Sequence, residues 1–276
     1  MGSRKFHYRR RLINSPPYYG SGEGGILLPQ SLVTQKAEVA LVIKFMMRRF
    51  LFGLSYWHLQ PDYFDTMPPG SGVFIKPFVQ TRHLFPGRNK PGDIDLLIIP
   101  YEGNSLVLER ALAVEFKVIR ASFERQSKSP NDYGFSQAES LLDIGLPYAA
   151  VGHLIVSDNS PYRCWKEIAC CEVVNKDGLV SEPRPVFSDP MPSDLVERAH
   201  GRLLANRRSP LLGLLACYLT FFGDSAGYVS THMPSGTRAL LNPNRSKKSL
   251  DAVASYFERN YRLFLRTPRY DPDNAR

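Results

Sequence analysis

The residues best suited to chemistry are acidic and basic side chains at alternate positions in two neighbouring segments. The stretch PGDIDLLIIP, residues 91–100, places Asp93 and Asp95 just before an unbroken apolar run. The stretch AVEFKV, residues 113–118, separates Glu115 and Lys117 by one residue. Side chains at alternate strand positions point to the same face. We therefore expect each pair to share one face of its strand.

A turn at EGNS, residues 102–105, predicts that these two strands form a hairpin. In a suitable register Asp95, Glu115 and Lys117 converge. Asp93 would lie nearby, either as a further metal ligand, as a residue that contacts the ligands rather than the metal, or as a contact to nucleic acid. Buried charges are costly unless something binds them. Mg²⁺ (or Mn²⁺) fits, since it takes one or two carboxylates, water and phosphate oxygens. Lys117 would then position or deprotonate a metal-bound water, or offset charge on a phosphate.

The surrounding pattern predicts the elements that position these residues. Helical spacing of apolar residues indicates a helix from Ser31 to about Leu51, and Pro77 indicates an edge position or a bulge in the first strand. A second helix is expected between the lysine strand and a buried strand, in which His153 is expected to be a core residue. The predicted ranges, in order after the first helix, are strands Gly72–Gln80, Asp93–Tyr101 and Leu106–Ile119, helix Asn131–Gly145 and strand Tyr148–Asp158.

On either side of the expected core, the sequence predicts an N-terminal arm and a C-terminal extension. Residues 1–30 are rich in Arg, Gly and Pro, which predicts a basic arm with little structure of its own. Residues 31–175 form the expected core, and residues 176–276 a mostly helical basic extension. Helices are predicted over 193–207, 209–223 and 249–266, whereas PYRCWKEIACCEVV, residues 161–174, fits a strand or a helix.

The spacing Gly92-x-x-Asp95 followed by Glu115-x-Lys117 at the end of an apolar strand resembles the PD-(D/E)xK nuclease superfamily, in its resolvase-type or RecB-like branches. The resemblance covers a little under half of the chain. It implies an α/β, restriction-endonuclease-like core of helix, three antiparallel strands, helix and strand. That order agrees with the elements predicted for residues 31–158.

The resemblance also implies roles for individual residues. Asp95 and Glu115 match the metal-binding acids, and Lys117 matches the catalytic lysine. Gln137 stands where RecB-like members often carry a catalytic glutamine, although Leu141 replaces the aromatic residue usual four positions later. Glu38 stands where many members supply a further carboxylate to the metal. The simpler interpretation is a half-exposed hairpin with its charges toward water and Glu38 on a helix surface.

The charge of the chain favours a polyanionic partner. Thirty-five Lys and Arg residues outnumber 26 Asp and Glu, giving a net charge of +9. Basic residues flank the candidate site on both sides and are candidate contacts to nucleic acid, expected to be DNA: Arg82, Arg88, Lys90, Arg120, Arg125 and Lys128. Residues 236–276 hold nine Lys or Arg against four Asp or Glu, interleaved with aromatic residues that could stack on bases or pack in a helix.

Together these features predict a Mg²⁺-dependent nuclease that hydrolyses phosphodiester bonds. The alternative is a non-catalytic nucleic-acid-binding or assembly subunit that keeps the fold. Cutting both strands of a duplex usually calls for two copies, so a homodimer or assembly with partner subunits is compatible with the prediction. The four cysteines lack metal spacing and predict buried thiols in a reducing, cytoplasmic compartment. No apolar run is long enough to predict a membrane span, and without a clear basic amphipathic helix no membrane partner is expected.

Overall fold

The computed structural model describes residues 8–16, 37–87, 92–175, 177–219 and 232–269. The helices are α1 Ala37–Met47, α2 Arg49–Leu59, α3 Pro61–Phe64, α4 Thr81–Leu84, α5 Phe135–Asp143, α6 Met191–Asn206 and α7 Lys247–Asn260. The strands are β1 Arg9–Arg11, β2 Ser71–Gln80, β3 Asp93–Glu102, β4 Ser105–Val107, β5 Leu112–Arg120, β6 Tyr148–Val156, β7 Lys166–Cys170, β8 Arg184–Ser188, β9 Gly213–Tyr218, β10 Ser235–Thr237 and β11 Leu265–Pro268.

Nine of these strands form one mixed sheet in an α/β architecture. Strand β3 pairs antiparallel with β2 along one edge and with β4 and β5 along the other. Strands β5, β6 and β9 run parallel, and β10 and β11 extend the sheet at its two ends. Strands β7 and β8 form a separate, exposed two-stranded sheet.

Apolar side chains cover both faces of the large sheet. On one face α5 and α7 pack against β3 and β5, and on the other face α1 and α2 pack against the alternate residues of the same strands. All nine residues of β6 are buried, as a central strand between two covered faces requires. The predicted parallel, buried strand at this position is confirmed, and His153 within it is fully buried.

The order helix, three antiparallel strands, helix and strand is present, but two of the predicted elements are divided. The predicted first helix is interrupted at Arg48, between α1 and α2, and its residues 31–36 lie outside the described part of the chain. The predicted strand Leu106–Ile119 is interrupted by a 3₁₀ turn, Leu108–Arg110, which separates β4 from β5. The tight turn at residues 102–105 therefore joins β3 to β4, and β5 pairs further along β3.

The segment predicted as a helix over 209–223 contains strand β9 instead, with residues 220–223 outside the described ranges. All six residues of β9 are buried between β6 and β10. A short run that is apolar at every position has no periodicity to separate a strand from a buried helix. The tertiary pairing with β6 decides the outcome.

The ends of the chain also differ from the expectation. Within the predicted arm, Arg9–Arg11 forms β1 on β4, and Arg9 and Arg10 make ion pairs with Glu102 and Glu258 at 2.6 and 3.0 Å. In the C-terminal part, β9 and β11 belong to the large sheet rather than to a separate helical extension. The last helix, α7, ends at Asn260, before the chain enters β11.

The four cysteines are all free thiols, but they are not all buried as predicted. Cys217 is buried, Cys164 is intermediate, and Cys170 and Cys171 are exposed because their hairpin stands apart from the core. Among the residues that the structure describes, every helix is too short or too polar to cross a bilayer.

Candidate active site

Asp95 lies where the backbone pairing of β3 with β5 ends. The last paired residues are Leu96 and Val114, and beyond them the Asp95 side chain continues the contact between the strands. Its Oδ2 accepts a hydrogen bond of 2.7 Å from the backbone N–H of Phe116. This bond places the Asp95 carboxylate beside the neighbouring Glu115, which is only 3% exposed.

Lys117 joins the second acid to the following helix. Its Nζ donates to Glu115 Oε1 at 2.9 Å and to Gln137 Oε1 at 2.8 Å. Gln137 lies in the first turn of α5, which packs against β5 and β6. The structure therefore brings together Asp95, Glu115, Lys117 and Gln137, the four residues that the sequence predicts as catalytic.

The strand alternation that predicted this cluster is interrupted next to it. Phe78, which the β2–β3 pairing passes over between Pro77 and Val79, has a φ of +53°, in the left-handed region that a phenylalanine rarely adopts. Ile94 and Leu96 are two residues apart and yet pack in the two opposite core layers. The prediction that Asp93 and Asp95 share a face by simple alternation therefore does not apply, and Asp93 is exposed at the start of β3.

Two residues of the site were missed by sequence reasoning, and both lie in the turn before α5. Gly134 has a φ of +86°, and a Cβ there would lie 3.1 Å from Glu115 Cγ and 3.4 Å from Lys117 Cε. Asp132 accepts a hydrogen bond from the Gly134 N–H at 2.9 Å and acts electrostatically on Lys117. The signal was the sequence NDYG, whose Asn, Asp and Gly favour a turn.

Burial, together with the repulsion between Asp95 and Glu115, determines the pKa values of the acids in the site. Burial, followed by repulsion from Glu115, raises the pKa of Asp95 to about 8, against the opposing effects of the Phe116 N–H and Lys117. Burial also raises the pKa of Glu115, although Lys117 opposes this. For Lys117, burial would lower the pKa, but its bond to Glu115 and the charge of Asp95 raise it overall. Lys117 is therefore a cation at neutral pH.

An open cleft of about 380 Å³ leads to Lys117. Glu38, exposed in the first turn of α1, lines its mouth, and its charge raises the pKa of both Asp95 and Glu115. Arg120 and Lys128 line the same cleft. Among the other predicted basic contacts, Arg125 is exposed on the loop after β5 without lining the cleft, and Arg82 lies on α4, where it donates to Gln80. Arg88 and Lys90 lie outside the described residues.

The donor set fits one oxygen-seeking divalent cation. No group of three or more His, Cys, Asp or Glu arranged to hold a metal is found within the described ranges. However, a buried and a half-buried carboxylate side by side repel each other, and one proton or one cation must offset that repulsion. Since Mg²⁺ needs only one or two protein carboxylates, Asp95 and Glu115 could hold it. Glu38 is close enough to contribute electrostatically.

Comparison of the chain with protein-family models, with curated proteins and with solved structures finds no match.

Proposed function

We propose that this chain is a divalent-metal-dependent nuclease with a restriction-endonuclease-like core. The observation that carries the proposal is the hydrogen-bonded group of Asp95, Glu115, Lys117 and Gln137, which comes from β3, β5 and α5. Two acids beside a lysine that lines an open cleft supply what phosphodiester hydrolysis needs: a cation site, a positioned positive charge and an opening toward the substrate. The element order around the group agrees with the fold that the sequence resemblance implies.

In the proposed reaction a water oxygen bonds to phosphorus and the bond from phosphorus to one sugar oxygen breaks. The leaving oxygen gains a proton and the attacking water loses one. A Mg²⁺ bound by Asp95 and Glu115 would supply Lewis-acid stabilisation of the charge on the phosphoryl oxygens. Lys117 holds its ammonium toward that charge, and its raised pKa suits it to stabilise negative charge and position water rather than to remove a proton. Gln137 orients the Lys117 ammonium through its amide oxygen.

Arg120 and Lys128 support nucleic acid as the substrate, because both stand in the wall of the cleft that leads to Lys117. Backbone phosphates are the groups that such side chains contact without regard to sequence. The resemblance to the PD-(D/E)xK nuclease superfamily favours DNA as the form of that nucleic acid. Glu38, which lines the same cleft, would supply a further carboxylate on the solvent side of the metal site.

The test incubates the purified protein with labelled linear, circular, branched and single-stranded DNA and with RNA. Each substrate is tried with Mg²⁺, with Mn²⁺ and with a chelator. We expect cleavage of at least one DNA substrate that depends on the metal and is lost in Lys117→Met. Binding without cleavage under every condition would instead support the non-catalytic subunit.

A further inference from the structure

A second polar pocket opens at the opposite end of the central strands. Its volume is about 170 Å³, and its wall includes Gln60, Tyr63, Arg110, Tyr148 and Arg238. Arg110 precedes β5 by two residues, and Tyr148 is the first residue of β6. Glu115 and Lys117 lie three and five residues beyond Leu112 on β5, which is about 10 and 16 Å further along the strand. The pocket is therefore separate from the candidate active site.

The pocket contains a buried amide whose hydrogen-bonding capacity is unused. Gln60, between α2 and α3, is 4% exposed, and neither its Nε2 nor its Oε1 has a hydrogen-bond partner among the described residues. Its backbone is satisfied, since the N–H donates to Tyr56 at 2.9 Å and the carbonyl accepts from Phe64 at 2.9 Å. A buried amide without partners is costly, so an unpaired donor and acceptor beside a cavity indicate a ligand or ordered water.

Arg110 supplies a positive charge without a counter-ion. Its Nη1 donates to the Tyr148 hydroxyl at 2.8 Å, and its guanidinium carbon lies 5.2 Å from the centre of the Tyr63 ring. Within the described part of the chain no carboxylate lies within ion-pair distance of Arg110. At the mouth, Arg238 pairs with Asp62 at 3.5 Å, which leaves the pocket one positive charge in excess.

We propose that this pocket binds a small molecule through an oxyanion, a phosphate or carboxylate group, held between Arg110 and the amide of Gln60. A guanidinium that spends one N–H on Tyr148 keeps donors for a bidentate contact to such a group. The Gln60 Nε2 donates to the anion, and Oε1 accepts from a hydroxyl or amine of the same molecule. The volume is smaller than a pocket for a drug-sized ligand, which restricts the ligand to a small metabolite-like molecule.

The experiment measures the melting temperature of the full chain with inorganic phosphate, with malonate and with chloride at matched ionic strength. A ligand that binds the folded state alone raises the melting temperature. We expect phosphate or malonate, whichever group the pocket takes, to raise it beyond chloride. Arg120→Gln, in the other cleft, is the matched control and should keep the rise.

Two variants locate the binding. Gln60→Glu keeps the shape of the side chain but places a negative charge beside Arg110, and Arg110→Lys keeps the charge but loses the bidentate fork. By isothermal titration, each should weaken binding of the effective anion by about tenfold or more. If Arg110→Lys fails to fold, Gln60→Glu alone decides, since its new carboxylate can pair with Arg110. No rise with either anion in the wild type, or an unchanged affinity in Gln60→Glu, would overturn the proposal, and neither result depends on nuclease activity.

Discussion

The Asp95 carboxylate accepts a 2.7 Å hydrogen bond from the backbone N–H of Phe116 and so extends the contact between β3 and β5 beyond their last backbone pair. One side chain thus has two functions. Its Oδ2 holds the two strands together, and its carboxyl group, whose pKa is raised to about 8 by burial and by Glu115, lies beside Glu115 as the second acid of the proposed metal site.

These two functions of Asp95 can be separated by substitution. Asp95→Asn keeps an oxygen that can accept from Phe116 and removes the ionisable carboxyl group, whereas Asp95→Ala removes both. We expect Asp95→Ala to lower the free energy of unfolding by about 1–3 kcal/mol relative to Asp95→Asn, because the N–H of Phe116 loses its partner. Urea unfolding at pH 7 measures the difference. Equal stability of the two variants would show that the hydrogen bond does not hold the strands.

Gln137 is expected to act through Lys117 rather than on the substrate. Gln137→Ala removes one of the two acceptors of the Lys117 ammonium. We expect cleavage to slow by about tenfold, the effect of one positioning hydrogen bond. Gln137→Glu, which keeps an acceptor oxygen, should recover part of that loss. Ser136→Ala, at an exposed position of the same helix, is the control and should cut at the wild-type rate.

Gly134 and Gly103 form a matched pair, because both have positive φ but only Gly134 lies against the site. Alanine at either position should destabilise the fold by about 1 kcal/mol or more, since a Cβ disfavours that backbone conformation. Gly134→Ala should also displace Glu115 and Lys117 and reduce cleavage, whereas Gly103→Ala should leave cleavage unchanged because nothing lies within 4 Å of its new Cβ. Thermal melts and cleavage assays on both variants check this. A fully active Gly134→Ala would contradict the close approach.

His153 should make the fold sensitive to acid. Burial, and secondarily the cations Arg202 and Lys117, lower its pKa from 6.5 to about 4, although the Tyr133 carbonyl opposes the shift. The folded state therefore binds fewer protons than the unfolded state, and stability present above pH 6.5 is lost as the pH falls toward 4. The loss should reach about 3 kcal/mol. His153→Gln should remove that part of the pH dependence in urea unfolding, and an identical pH profile in both proteins would contradict the assignment.

The parts of the site that the sequence predicts are those determined by local spacing. Glu115 and Lys117 share a face because β5 is a regular strand. Gln137, which the family resemblance implied rather than the spacing, lies in the first turn of the helix that follows. The apolar run of β6 likewise identified a buried strand. For the shared face of β5 and for the buried strand β6, the residues within a single element were enough.

The parts that the sequence does not predict depend on contacts between distant segments. Residues 213–218 form strand β9 rather than a helix because β6 offers them a parallel partner. Residues 265 and 266, the end of a predicted helix, belong instead to β11, which pairs with β2. The positive φ of Phe78 and the unpartnered amide of Gln60 follow from tertiary packing, which no local pattern records. The spacing predicts Asp95 as a residue of the site, but the orientation of its side chain depends on the same tertiary packing.

The most direct test of the proposed chemistry compares Glu115→Gln with the wild type in single-turnover cleavage of a DNA substrate that the wild type cuts, at saturating Mg²⁺. The amide preserves the shape of the side chain and removes one of the two carboxylates proposed to hold the metal. We predict cleavage at least about 100-fold slower, with DNA affinity unchanged because Arg120 and Lys128 remain. A Glu115→Gln protein that cuts at the wild-type rate would contradict the assignment of Asp95 and Glu115 as the metal-binding acids.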